Sequence, residues 1–223
     1  SWVARSTGSF SALSLNLDGS PEGVQVADAA AFSFGDGSND SAFSLSAWIY
    51  ITNLGDHRPI ITKRASGARE WQFFVLSTGK LYLEFEDETV ASTPRMVVQT
   101  AASSIVINTW YHVAATYDGR GGPTATSGMK LYIDGEEGAE IAVTDTAYVA
   151  MADTSSPVEI GQMAVDSNYF IGQMDEVSVW NRELSPKEIV NIYNKGVPTN
   201  LKKSDAYIIG SSDLLAWWRF EVD

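Results

Sequence analysis

The stretch FSLSAWIYI, residues 43–51, constrains this chain more than any other. Phe43, Leu45, Ala47, Ile49 and Ile51 recur at period two, which predicts a strand with one face in a core. The pattern returns along most of the chain. In SALSLNL (11–17) it puts Leu13, Leu15 and Leu17 on one face. Val24 and Val26, residues 59–62, WYHVAATYD (110–118), residues 157–162 and residues 170–180 read as further strands. WQFFVL (71–76) and KLYLEFE (80–86) flank Ser77-Thr78-Gly79 and predict a hairpin. MKLYIDG (129–135) ends in Asp-Gly, a strong hairpin signal. Roughly ten to thirteen strands at this spacing predict an all-β sandwich.

Between the strands lie turn-forming segments. Asp18-Gly19-Ser20-Pro21 and GDGSNDS (35–41) read as turns, KRASGAR (63–69) as a basic loop, and GRGGPTATSG (119–128) as a long flexible loop. One helix interrupts the pattern. Ser185-Pro186-Lys187-Glu188 has the form of a capping box with proline at the first helical position. Ile189, Ile192 and Tyr193 form one apolar stripe, and Gly196 suits a left-handed terminator. A single narrow stripe predicts a short helix near 185–195 lying on a sheet.

The 223 residues, 44% of them hydrophobic, can form one large β domain. We assign 1–196 to it. Residues 197–223 read as a linker, VPTNLKKSD, and a terminal strand, LLAWWRFEVD, that docks on a partner or opens a further domain. Trp48, Trp110 and Trp180 read as core.

Composition excludes several chemistries. The absence of cysteine removes disulfides, thiol catalysis and cysteine-based zinc sites. With only His57 and His112, any Ser-His-Asp triad must use one of the two, and no Gly-x-Ser-x-Gly elbow accompanies them. A net charge of −13 repels phosphate backbones, which argues against nucleic acid, and could attract cations. No apolar run is long enough for membrane insertion.

The order of the segments carries a resemblance. ALSLNLDGSPEGVQVADAAAFSF, FSLSAWIYI, IITK, the WQFFVL…GKLYLEF hairpin, WYHVAATYDG, MKLYIDGE, EIGQ and YFIGQMDEVSVWNRELSPKEIVNIYN follow in sequence. Together they resemble the LamG-like jelly-roll domain of the concanavalin A-like superfamily, related to pentraxins and laminin G, over roughly residues 11–195. The resemblance implies a two-sheet antiparallel jelly roll. It implies a non-catalytic recognition or adhesion module that binds a glycan or cell-surface polysaccharide through its loops. A structural decoration or fibre protein of a phage virion or other surface assembly, docked on other subunits, is the alternative. A glycoside-active enzyme is a minor alternative. The first two place the protein outside the cell or on a virion surface.

The resemblance also implies a structural Ca2+, carried onto Asp175 first and Asp18 second. A pentraxin-type double calcium site is not expected, because the corresponding loop, MAVDSNY, keeps only Asp166 and Asn168. A sugar site needs an aromatic face and planar polar groups. Arg64, Arg69 and Trp71, near His57, and Asp166 and Tyr169 on another loop are the candidates, with core packing as the competing role of Trp71. Finally, LYLEFEDE (81–88) sets Glu84, Glu86 and Glu88 on one strand face, about 6.7 Å between alternate positions. Glycosidases use paired carboxyls, but the laminarinase pattern has an Asp where Glu86 stands. A solvated acidic face is the expectation, and no catalytic residue is assigned.

Overall fold

The alternation becomes two antiparallel sheets in a computed structural model, which describes residues 2–4, 13–202 and 212–220. In chain order the strands are β1 (Trp2–Ala4), β2 (Leu13–Asp18), β3 (Val24–Val26), β4 (Phe43–Ile51), β5 (Arg58–Ala65), β6 (Ala68–Val75), β7 (Leu81–Glu86), β8 (Arg95–Gln99) and β9 (Trp110–Tyr117). They continue with β10 (Met129–Ile133), β11 (Glu136–Glu137), β12 (Glu140–Thr144), β13 (Val158–Ile160), β14 (Gln162–Met163), β15 (Asn168–Tyr169), β16 (Ile171–Trp180) and β17 (Leu214–Trp218). One sheet runs β1-β2-β16-β4-β9-β10-β11, with β17 also on β16. The other runs β12-β8-β7-β6-β5-β13-β3, and β14-β15 form a small ribbon.

The core lies between the two large sheets. From β4 it takes Phe43, Leu45, Ala47, Ile49 and Ile51, and from β6 and β7 it takes Trp71, Phe73, Val75, Leu81, Leu83 and Phe85. The predicted inward face of 43–51 is thus the observed one. In SALSLNL the alternation is weaker: Leu13 and Leu15 are half-buried while Ser14 is buried. Residues 11 and 12 of that stretch lie outside the described residues. Trp48 and Trp180 are buried, whereas Trp110 is half-buried.

Several expectations change. β8 and β12 fall in segments that show no clear alternation. KRASGAR is not a loop: most of it belongs to β5 and β6, joined by a tight turn. Residues 119–128 are not a flexible loop either, because Gly122–Gly128 wind into a 3-10 turn that buries Ala125 and Thr126. The Asp-Gly hairpin is present, with Asp134 at φ 52° and Gly135 at φ 85°, the pair of left-handed residues that such a turn needs. Where β16 crosses β4, a Cβ on Gly172 would stand 1.9 Å from the Tyr50 carbonyl oxygen, so only glycine fits.

Helix α1 (Pro186–Tyr193) begins as its sequence predicts. Ser185 Oγ accepts the Glu188 N–H, and Glu188 Oε2 accepts the Ser185 N–H. Arg182 clasps both Glu188 oxygens, at 2.7 and 3.1 Å, and its hydrogen bonds pull that carboxyl down to a pKa of about 2. Ile189 and Ile192 pack with Trp180, Leu184, Leu201, Ala114 and Tyr132, so the helix covers the outer face of the first sheet. It ends at Asn194, in the left-handed conformation at φ 46°, rather than at Gly196, because an asparagine tolerates that geometry two residues earlier.

Residues 214–218 pair with their own sheet. Val177 opposes Trp218 and Trp180 opposes Leu214, in line with β2, which pairs with the first half of β16. The Trp217 indole N–H donates to Glu176 Oε2 at 2.6 Å, and Arg182 Nε donates to Asp213 at 2.8 Å. The rest of the expected linker and strand, 203–211 and 221–223, lies outside the described residues. Replacing Ser185 by alanine removes one side of the capping box and is expected to cost about 1 kcal/mol. Thermal unfolding of a protein this size should register it as a fall of about 2–4 °C, and an unchanged melting temperature would deny the cap that role.

Candidate functional site

Alternation that buries Trp71 and Phe73 must turn Gln72 and Phe74 outward, and in β7 it turns out Tyr82, Glu84 and Glu86. Of these, Gln72, Phe74, Glu84 and Glu86 floor a cleft of about 190 Å³ on the second sheet. Arg64 of β5, Arg69 of β6 and Arg95 of β8 line it, with His57 at one end. Met163, Asp166 and Asn168, on the β14–β15 hairpin, form a wall.

A chain of planar polar groups crosses three strands. Arg64 Nη1 donates to Gln72 Oε1 at 2.6 Å and lies 2.8 Å from Asp166 Oδ2. Gln72 Nε2 donates to Glu86 Oε1 at 2.9 Å. Arg69 Nη1 stands 2.8 Å from Glu86 Oε2, near enough for an ion pair but off the line of a hydrogen bond, and its Nε donates to Glu88 at 2.6 Å. Arg95 Nη1 donates to Glu84 at 3.0 Å. Beside this network, Phe74 sits between His57 and Tyr82, with ring centroids 5.2 and 4.8 Å away.

The acids here are not a solvated face. Glu84 is 6% exposed and Glu86 only 2%, because the arginines and Gln72 lie over them. Burial raises the pKa of Glu84, and burial together with the Glu84 charge raises that of Glu86 to about 7. Near neutral pH Glu86 therefore exists in both protonation states.

The other candidates separate. Arg64, Arg69 and Asp166 meet in the cleft as one cluster. Trp71 does not: it is fully buried in the core, its indole N–H held by the Phe32 carbonyl at 2.9 Å, and it has no face to offer a sugar. Tyr169 is outside the cleft lining; its carbonyl accepts a hydrogen bond from Arg58. His112 is buried against Trp48 and Tyr193, and burial lowers its pKa to about 3, so it is neutral and remote from solvent. Gln72, Phe74, Tyr82 and Arg95 were not singled out from sequence. For the first three, the signal was there in the outward phase of WQFFVL and KLYLEFE; Arg95 belongs to a strand that was not read.

The calcium pair does not fit a cation. Asp175 does not open its strand; it lies in the middle of β16, fully buried, with Oδ1 accepting the Glu176 N–H at 2.8 Å in a bulge where the register with β4 shifts. Asp18 sits in an exposed turn and accepts from both the N–H and the hydroxyl of Ser20. Asp18 pairs with Ile171, four residues from Asp175 along the strand, or roughly 13 Å at the rise of a β-strand. Among the described residues no group of three or more His, Asp or Glu side chains could hold a metal.

A two-sheet jelly roll with one covered face and one polar, clefted face defines a β-sandwich of the lectin-like class. The chain belongs to the concanavalin A-like lectin/glucanases superfamily, whose laminin-G-type family model matches residues 18–190. No curated protein matches the chain. Among solved structures, the binding domain of Paraclostridial Mosquitocidal Protein 1 superposes at TM-score 0.60 with 17% identity, over 91% of this chain and 50% of that one. Tailspike protein 2 of an Escherichia coli O157:H7 bacteriophage gives 0.62 and 13%, over 97% of this chain and 28% of that one. Domain 4 of the extracellular arabinanase AbnA from Geobacillus stearothermophilus, in complex with arabinotriose, gives 0.52 and 16%, over 86% of this chain and 80% of that one. The chain thus spans half or less of the first two, and all three likenesses establish the fold. No helix among the described residues is long and apolar enough to cross a membrane.

The raised pKa of Glu86 has a testable sign. An acid whose pKa is higher folded than unfolded adds stability below its unfolded value, near 4.5, and that stability is lost as pH rises through about 7. Glu86→Gln removes the titrating proton. Its melting temperature should therefore fall less between pH 5 and pH 8 than that of the parent, and parallel pH profiles would refute the assignment.

Proposed function

We propose that this chain is a non-catalytic recognition module that binds carbohydrate in the cleft of the second sheet. The observation that carries this reading is the Arg64–Gln72–Glu86–Arg69 network. It presents planar donors and acceptors on a rigid sheet, beside Phe74, which lines the cleft though only 3% exposed, with the half-buried ring of Tyr82 next to it. Sugars need both: hydroxyls hydrogen-bond to planar groups, and C–H faces rest on rings. Sites built on strands hold such geometry better than loops do. The arabinotriose complex of the AbnA domain agrees with the reading, as it is an oligosaccharide held by a protein of this fold. A protein with this task works outside the cell or on a virion. This reading assigns no calcium to the site, so chelator should leave binding intact.

A structural role in a virion is the second reading, favoured by the tailspike likeness across nearly the whole chain. Binding to a glycan array followed by calorimetry separates the two. A bound glycan, with affinity weakened about tenfold or more in Gln72→Ala and Arg69→Ala, supports recognition, provided both variants melt like the parent. Absence of any glycan ligand sinks it. Release of reducing ends that stops in Glu86→Gln would make the module an enzyme instead.

A further inference from the structure

Resting on that carbohydrate reading, we propose that the cleft takes an uncharged glycan and turns away uronates, sialic acids and sulphated sugars. Three arginines in a cleft ordinarily announce an anion site. Here each one is already committed. Arg64 is held by Asp166 and Gln72, Arg69 by Glu86 and Glu88, and Arg95 by Glu84. The cations and acids nearly cancel, with acids one in excess, and His57 at the rim is paired with Asp56 at 3.0 Å. A ligand carboxylate would have to displace one of these acids and then lie beside those that remain. It would also approach a chain of net charge −13. Every arginine of the cleft lining has an acid partner, so none is left to compensate for either.

A hydroxyl meets a different surface. It both donates and accepts, so it can bridge a committed guanidinium and its carboxylate without separating them. Two atoms of the cleft lining also lack a hydrogen bond: Arg64 Nε, a donor, and Glu86 Oε2, an acceptor. Both are covered by neighbouring side chains in the empty cleft. A small swing of either side chain toward a sugar hydroxyl would satisfy it, and neither swing demands a ligand charge. Discrimination thus comes from repulsion as much as from fit.

The test is calorimetry on the full chain with neutral polysaccharides (arabinan, galactomannan, laminarin) and with polygalacturonate, sialyllactose and heparin, at low and high salt. The expected result is binding of at least one neutral glycan, with affinity changing less than about twofold between roughly 50 and 500 mM salt. Anionic sugars should bind at least about tenfold more weakly. Glu84→Gln, which frees Arg95, should raise polygalacturonate affinity by about fivefold or more. An anionic preference with steep salt dependence overturns the inference and leaves the carbohydrate reading standing. So does a Glu84→Gln variant that melts normally and gains nothing for anions. Binding of no glycan at all removes the carbohydrate reading, and this inference with it.

Discussion

Everything in this fold depends on the phase of alternation in β6 and β7. One residue of slip would exchange the two faces of each strand. The large rings Trp71, Phe73 and Phe85 hold the phase, because turning them outward would forfeit roughly 1.5–3 kcal/mol of burial for each. Once they point inward, Gln72, Phe74, Glu84 and Glu86 have no choice but to point outward. The core therefore specifies the cleft: apolar packing, which carries no information about ligands, decides which polar groups stand together.

The polar face is costly in itself. Two nearly buried acids two residues apart on one strand repel each other, and burial disfavours the charge on each. The fold meets this with arginines drawn from three neighbouring strands, leaving only the innermost acid with a strongly raised pKa. A different solution appears where Lys63 is fully buried. It reaches Glu70 at 2.8 Å and Asp28 at 2.8 Å and donates to the carbonyls of Thr154 and Ser156. The Lys63–Glu70 pair is closed off from solvent and ties a loop to the sheet. The cleft network faces an open space, which separates a recognition surface from a structural one.

Local signals were the ones legible in the sequence. The alternation of 43–51, the Asp-Gly turn at 134–135 and the Ser185–Glu188 cap each depend on residues within a few positions, and each formed as read. The site was legible only in part, because it is assembled across strands distant in sequence. Arg64 and Asp166 were named for their chemistry, and they meet only because the β14–β15 hairpin leans against β5. Trp71 is open to two roles in the sequence, since an aromatic beside arginines looks like a sugar platform; the core role is the one the structure gives, and its neighbour at position 72 carries the outward phase. Asp175 was misplaced because a bulge inside a strand has no turn residue to announce it; Glu176, at φ 54°, holds the backbone there in a conformation that sequence alone does not reveal. β8 escaped because Met96, Val97 and Val98 run together without alternation, and all three are buried.

The helix decides which side of the sandwich can recognise anything. Each sheet has an outer face, and each could have carried a cleft. On the first sheet, Ile189 and Ile192 press down over Ala114, Tyr132 and Trp180, and Leu201 continues the cover. Beneath that cover a space between Ser46, Trp48, His112 and Glu176 is about 10 Å³, room for at most one water. His112 is kept neutral there by burial. The second sheet has no helix among the described residues, and its outer face carries Gln72, Phe74, Tyr82, Glu84 and Glu86. A capping box at the end of β16 thus has a consequence on the far side of the core. By committing the one α-helix among the described residues to one face, it leaves the other free to hold a charge-balanced array that a helix would have had to desolvate.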